Sequence, residues 1–224
     1  MKSHVLVTGG NSGIGFATAK HLISKGYRVT ISGRNEERVT NAARNLECDA
    51  FVADMGNPED VAKLIAHFDN TSLFGIVNNA AIARFVPLEL STPEFFQEIM
   101  NINVRGPLDL IQGLLPKLEE SQGSIVNISS AIVNNGLPNA AYYAATKGAI
   151  DAITKSLAIE LAPKGIRVNA ISPGAIDTPI ITKLGIDESM QAAIKAQQEA
   201  SIPLRRLGNA EELGQAVVAQ LEST

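Results

Sequence analysis

The chain has 224 residues, 45% of them hydrophobic, and a net charge of −4, which suits one substantial core and a single domain over residues 1–224. No stretch concentrates lysine or arginine, so neither nucleic acid nor an anionic membrane surface is an expected partner. Cys48 is the single cysteine, and His4, His21 and His67 stand away from carboxylate clusters, which excludes an intrachain disulfide and leaves no expected metal site. Met1-Lys2-Ser3 leads straight into an apolar run without a signal core, and no apolar segment is long enough to span a bilayer, so the expectation is a cytoplasmic protein.

Residues 4–8 (HVLVT) are a short apolar, β-branched run that predicts a buried parallel strand. The run breaks at Gly9-Gly10-Asn11-Ser12-Gly13-Ile14-Gly15, after which Phe16, Ala17, Ala19, Leu22 and Ile23 recur at helical spacing. Between a strand and a helix, such a loop lets the backbone approach a pyrophosphate, and the helix start offers free N–H groups and a partial positive charge. The spacing Thr8-Gly9-x-x-x-Gly13-x-Gly15 is one residue longer between its first glycines than the common G-x-G-x-x-G. An unliganded glycine turn is the alternative.

Gly26 ends that helix, residues 28–32 predict a second strand, and 35–46 a helix. An acid at the end of this strand would bind a ribose 2′-hydroxyl and favour NAD. Gly33 stands there instead, with Arg34 beside it, which suits the 2′-phosphate of NADP unless Arg34 is only a solvated turn residue. Residues 50–53 predict a third strand ending at Asp54, which can accept from an adenine amino group or merely precede the turn Met55-Gly56-Asn57-Pro58. Asn57 and Pro58 read as the N-cap and first residue of a helix over 58–69. A fourth strand, 75–77, runs into Asn78-Asn79-Ala80-Ala81, whose small side chains let a ligand lie against the backbone, or make a plain turn.

A helix from Thr92 towards Lys117 is expected to be irregular near Gly106-Pro107, and Asn101 and Asn103 within it point to a buried polar role, because asparagine is a poor mid-helix residue. Residues 123–129 predict a fifth strand that delivers Ser130 at its C-terminal end. The helix over 141–162 carries Tyr143 and Lys147, spaced to lie one above the other on one face. An ammonium beside a phenol favours the phenolate. Acid/base work near neutral pH needs a shift of roughly three units, about 4 kcal/mol, which a lysine and a bound nicotinamide supply together more readily than a lysine alone. By itself the spacing more often marks a core tyrosine and a solvated lysine. Tyr142, followed at the same distance by Thr146, reads as packing or pocket lining.

A sixth strand over 166–172 leads into Pro173-Gly174-Ala175-Ile176-Asp177-Thr178-Pro179, then a mobile helical lid over about 179–206 and a last helix over 209–222. Alternating strands and helices predict a parallel sheet covered on both faces. Ligands bind such sheets beyond the strands' C-terminal ends, where Gly13, Asp54, Asn79, Ser130 and Pro173 fall.

Together, Thr8-Gly9-x-x-x-Gly13-x-Gly15, Asp54, Asn78-Asn79-Ala80, Asn103, Ser130, Tyr143-x-x-x-Lys147 and Pro173-Gly174 with Thr178 resemble the short-chain dehydrogenase/reductase family, in particular its compact bacterial 3-oxoacyl-carrier-protein reductase type. The resemblance covers almost the whole chain in the correct order. It implies an α/β, three-layer Rossmann fold with a doubly wound parallel sheet of order 3-2-1-4-5-6, and hydride exchange between NADP(H), or alternatively NAD(H), and a ketone or secondary alcohol. It also implies that Tyr143 moves the carbinol proton, Ser130 orients and polarises the carbonyl, Lys147 lowers the tyrosine pKa and holds the nicotinamide ribose, and Asn103 holds a relay water. The cofactor-binding residues it implies begin with Thr8, Gly9, Asn11, Ser12, Gly13, Ile14 and Gly15. Further along they include Arg34, Asp54 and Met55, then Asn79, Ala80 and Ala81, with Tyr143 and Lys147. Pro173, Gly174, Ile176 and Thr178 complete them.

A homodimer or homotetramer through the helices around 95–118 and 141–162 is likewise implied. Ile180, Ile181, Leu184, Ile186 and Met190 suit an apolar or mixed substrate, or are the lid's own packing face. Two departures stand out. The chain stops at Leu221-Glu222-Ser223-Thr224 where the family adds a seventh strand, whether naturally short or truncated, which leaves the sixth strand an edge. Ala81 stands where glycine is commoner. The alternative function is a catalytically silent nucleotide-binding regulator or scaffold on the same fold. A serine hydrolase is disfavoured, because there is no G-x-S-x-G and no histidine follows Ser130.

Overall fold

The computed structural model describes residues 3–178 and 187–223. Six parallel strands form one sheet: β1 (His4–Thr8), β2 (Arg28–Gly33), β3 (Asp49–Val52), β4 (Gly75–Asn78), β5 (Ser124–Ile128) and β6 (Arg167–Ile171). Their order is β3-β2-β1-β4-β5-β6. The order reverses between β1 and β4, which opens a crevice beyond their C-terminal ends.

Both faces are covered because the strands are apolar on both. Leu6, Ile76 and Ile125 point into one core with Val61, Leu64, Leu110, Leu114 and Leu161. These come from α3 (Pro58–Ala66), α5 (Gly106–Ser121) and α7 (Ala141–Leu161), the last preceded by the short α6 (Ile132–Asn135). Val5, Val7, Val77 and Val126 alternate to the other side. There they meet Leu22, Val39, Val217 and Leu221 of α1 (Gly13–Ser24), α2 (Glu36–Leu46) and α9 (Ala210–Glu222). Arg167 on β6 closes the end of α9, donating to the Leu221 carbonyl at 2.9 Å and to that of Ser223, two of the orphan acceptors at a helix C-terminus.

Helix starts follow the capping signals. Asn35 accepts from Arg38 N, Asn57 from Glu59 N with Pro58 in the first turn, and Asn209 forms a reciprocal cap with Glu212. Some boundaries shift: β3 ends one residue earlier than expected and α3 stops at Ala66. The long helix expected after Thr92 is α4 (Pro93–Met100), a wider π-helical turn over Asn101–Arg105, then α5. The expected irregularity is this turn, which holds both asparagines and ends against Gly106, with Pro107 lacking the N–H that would bond the Asn103 carbonyl. Proline is tolerated at Pro107, where α5 begins.

Residues 179–186, which hold Pro179, Ile180, Ile181, Leu184 and Ile186 of the expected lid, lie outside the described residues. The remainder of that segment contains α8 (Glu188–Ser201). A small sheet not expected from sequence pairs β7 (Ile176–Asp177) with β8 (Gly208–Asn209). Among the described residues, β6 has a strand neighbour on one side only, no helix is long and apolar enough to cross a membrane, and no group of metal-ligating side chains converges.

His4 carries a stability prediction. Its Nε2 and Thr30 Oγ1 are hydrogen-bonded at 2.9 Å, its Nδ1 is buried without a partner, and burial, reinforced by Arg28, lowers its pKa to about 4. The folded-state value lies below the unfolded one near 6.5, so below pH 6.5 the unfolded chain takes a proton that the fold refuses. Stability should fall between pH 6.5 and 4 by no more than about 3 kcal/mol from this group. Thermal melts of wild type and His4→Gln should diverge across this window; parallel pH dependence would remove His4 from the account.

Candidate active site

Beyond the C-terminal ends of β1, β2, β3 and β4 lies a cleft of about 470 Å³. Its floor is the turn from β1 into α1. Gly9 has φ +63°, and a Cβ there would come within 2.9 Å of the Ala80 Cα. Gly15 lies tighter still: a Cβ would come within 2.5 Å of Asn79 Nδ2 and closer to the Gly9 carbonyl. Asn79 Nδ2 donates to the carbonyls of Thr8 and Gly9 at 2.9 and 3.1 Å. Thr8 Oγ1 accepts from Asn79 N and Ala80 N, both at 3.0 Å. The loop is thus fixed to the end of β4 before any ligand arrives. No side chain caps the start of α1, which leaves its first N–H groups directed at the cleft.

Of the expected cofactor residues, Gly9, Asn11, Ser12, Gly13 and Ile14 line this cleft, as do Arg34, Asp54, Met55, Asn79, Ala80, Ala81 and Thr178. Thr8 and Gly15 do not; they shape the loop from behind. Asp54 serves its own turn, accepting from Gly56 N at 2.8 Å through Oδ1, while still facing the cleft. Pro173 and Gly174 lie outside the cleft lining. The Pro173 carbonyl accepts from Ala131 N at 2.9 Å, which ties the end of β6 to the Ser130 turn. Ile176 pairs with Gly208, so it too acts through the small sheet.

Sequence reasoning missed two groups at the β2 end. Arg38 joins Arg34 on the cleft wall from the first turn of α2. The spacing of Arg34 and Arg38 at the start of a predicted helix was the available signal. Ser32 also lines the cleft, and its buried Oγ has no partner. A strand-internal serine gives no signal of that kind.

Ser130, Tyr143 and Lys147 come together at the end of β5. Ser130 hydrogen-bonds the Tyr143 phenol, and burial raises the phenol's pKa above its ordinary value while this bond opposes the rise. Lys147 is buried, and its Nζ donates to the Ile128 carbonyl at 2.6 Å. It lies 5.8 Å from the centroid of the Tyr143 ring. Burial lowers the Lys147 pKa to about 8, with Asp151 pulling the other way. The expected lowering belongs to Lys147 acting together with a bound nicotinamide; without the cofactor, burial dominates the phenol and the Ser130 bond opposes it, while the ammonium is engaged with a backbone carbonyl.

Asn103 is buried as expected, and both ends of its amide are bonded. Oδ1 accepts from Ile82 N at 2.9 Å, and Nδ2 donates to the Ile82 carbonyl at 2.9 Å and to Thr146 Oγ1 at 3.1 Å. Thr146 in turn donates to the Tyr143 carbonyl at 2.8 Å. Asn103 thus clamps the segment after β4 onto the helical turn that carries Tyr143. The π-helical turn places the side chain here, a feature common at functional sites.

The family model described as enoyl-(acyl carrier protein) reductase matches residues 9–223. Among similar proteins, L-fucose dehydrogenase of Oryctolagus cuniculus is 36% identical over 221 residues, covering 96% of this chain and 77% of that protein. Dehydrogenase/reductase SDR family member 4 of Sus scrofa is 34% identical, covering 92% of this chain and 76% of that protein. Among solved structures, 3-ketoacyl-(acyl-carrier-protein) reductase from Brucella melitensis complexed with NADH is 32% identical with a TM-score of 0.89, covering 98% of this chain and 91% of that one. The aldohexose dehydrogenase of Thermoplasma acidophilum, in ligand-free form, is 28% identical with a TM-score of 0.88, covering 98% and 87%. With the strand order, the glycine turn and the Ser130–Tyr143–Lys147 grouping already in place, these matches make the chain a member of the short-chain dehydrogenase/reductase family of Rossmann-fold oxidoreductases.

Proposed function

We propose that the protein is an NADP(H)-dependent carbonyl reductase, or in reverse a secondary-alcohol dehydrogenase, with Tyr143 as general acid/base. The observation that carries this reading is the half-buried Tyr143 phenol, hydrogen-bonded to Ser130 and one helical turn from a buried lysine. The raised phenol pKa keeps Tyr143 protonated at neutral pH, the state needed to donate to a carbonyl oxygen. Ser130 shares that oxygen, and Lys147 stands one turn behind as the nearby cation. Asn103 keeps the two walls of the site in register.

The residues present fit a dinucleotide: the Gly9–Gly15 turn closes against Asn79 and Ala80 only because no Cβ intervenes, and the unpartnered Ser32 hydroxyl faces the cleft. When bound, the nicotinamide would supply or accept the hydride. Arg34 and Arg38 line the cleft beside Gly33, where a Cβ would come within 2.7 Å of Asn11 Oδ1, so a carboxylate there would be crowded. Two cations, and no acid at the end of β2, favour the 2′-phosphate of NADP.

The test is a titration with NADPH and NADH, then a panel of carbonyls with the preferred cofactor. NADPH is expected to bind more tightly. Arg34→Ser should weaken NADPH by about 10–100-fold, the loss of one charge-assisted contact, and leave NADH nearly unchanged. Equal weakening of both would remove Arg34 as the phosphate reader. Tight NADPH binding without turnover of any carbonyl would favour a silent nucleotide-binding protein.

Assembly belongs to the same reading. Ala141, Ala145, Ala152, Ser156 and Ile159 of α7 are exposed and fall on one helical face, which suits a homodimer packed through that helix.

A further inference from the structure

The Tyr143 ring has an aromatic neighbour in the loop after β4. The Phe85 ring meets Tyr143 edge-to-face, centroids 6.1 Å apart, and is 40% exposed. The position is held from two directions. Val86 N donates to the Asn139 carbonyl at 2.7 Å, which ties the loop after β4 to the loop before α7. Asn103 fixes the same loop at Ile82. Leu137, in the loop tied by Asn139, is 54% exposed.

Among the described residues, the cations beside Phe85 and Tyr143, Arg84 and Lys147, are already engaged. Arg84, the residue before Phe85, pairs with Glu98 through both terminal nitrogens, at 2.8 and 3.1 Å, and lies 5.4 Å over the Phe95 ring. Lys147 is buried and bound to a backbone carbonyl.

We propose that Phe85 is the specificity-determining wall of the site, and that the substrate is an uncharged carbonyl compound whose substituent is aryl or branched alkyl. The proposal rests on the carbonyl-reduction reading above and adds what lies beside the carbonyl. Ser130 and Tyr143 satisfy one oxygen, and the neighbouring surface is Phe85 with Leu137 in the adjoining loop. A polyol pressed against this surface would leave hydroxyl groups without partners there, and a carboxylate would lose its hydration with neither Arg84 nor Lys147 free to pair with it. An apolar substituent loses nothing by the same burial and stacks on the ring.

The probes are acetophenone, L-fucose and pyruvate, each read by thermal shift in the presence of NADP⁺ and by turnover with NADPH or NADP⁺ as its oxidation state requires. Acetophenone is expected to stabilise the protein at the lowest concentration and to have the highest kcat/KM, at least about tenfold above L-fucose. Phe85→Ser should lower the acetophenone-to-fucose ratio by about tenfold or more through a raised KM, whereas Phe85→Leu, which keeps an apolar wall, should retain most of it. Preference for L-fucose or pyruvate, or an unmoved ratio in folded Phe85→Ser, overturns the wall and leaves carbonyl reduction standing. Binding of acetophenone that Phe85→Ser weakens, without turnover of any probe, supports the wall and overturns the reductase reading. Binding of none overturns the wall.

Discussion

Tyr143→Phe is expected to lower kcat by about 10²–10⁴-fold, the usual worth of a positioned proton donor, with NADPH affinity within about twofold of wild type, since the ring and its packing survive. The substitution removes only the hydroxyl that Ser130 engages. Phe85 keeps its edge-to-face neighbour and Lys147 its bond to Ile128. The check pairs steady-state carbonyl reduction with a cofactor titration on the same preparation. Turnover near the wild-type rate would end the assignment of Tyr143 as acid/base. Parallel loss of cofactor binding would instead make the phenol a structural group.

Gly15→Val is the second large effect. The new Cβ would be driven against Asn79 Nδ2 and the Gly9 carbonyl. Neither can retreat cheaply, because Asn79 is bonded to Thr8 and Gly9, and Thr8 in turn holds Asn79 N and Ala80 N. The loop must open, and with it the cradle in front of α1. NADPH affinity should fall by more than about 100-fold, while overpacking costs the fold about 1–3 kcal/mol. Measuring affinity well below a lowered melting temperature separates the two effects. Unchanged affinity would mean that the pyrophosphate does not approach this turn.

These two expectations differ in how far they could be read from residue order. The Gly9–Gly15 turn, its flanking strand and helix, and the parallel sheet follow from local periodicity and glycine placement, which depend on neighbours in the chain. The caps at Asn57 and Pro58 were legible for the same reason. Arg38 was legible in principle, one turn beyond Arg34 on a helix the periodicity already implied.

Other features had no local signal. The pairing of β7 with β8 joins residues separated by α8, and strands of two residues leave no alternation to read. Phe85 looks like any loop aromatic until the Val86–Asn139 bond brings its loop beside α7. Asn103 invited a polar role because asparagine is costly inside a helix, but its partners, Ile82 and Thr146, come from two other segments.

The sequence by itself determined the layered α/β architecture, the strand order through its family resemblance, and the residues gathered along the sheet's C-terminal edge. These rest on periodicities of 2 and 3.6 and on glycines whose need is local. Only the tertiary structure decided the electrostatic state of the site. A pKa depends on what surrounds a group in space: burial raises that of the Tyr143 phenol, and the Lys147 ammonium donates to the Ile128 carbonyl. The wall facing the substrate was decided in the same way, by contacts between segments distant in the chain.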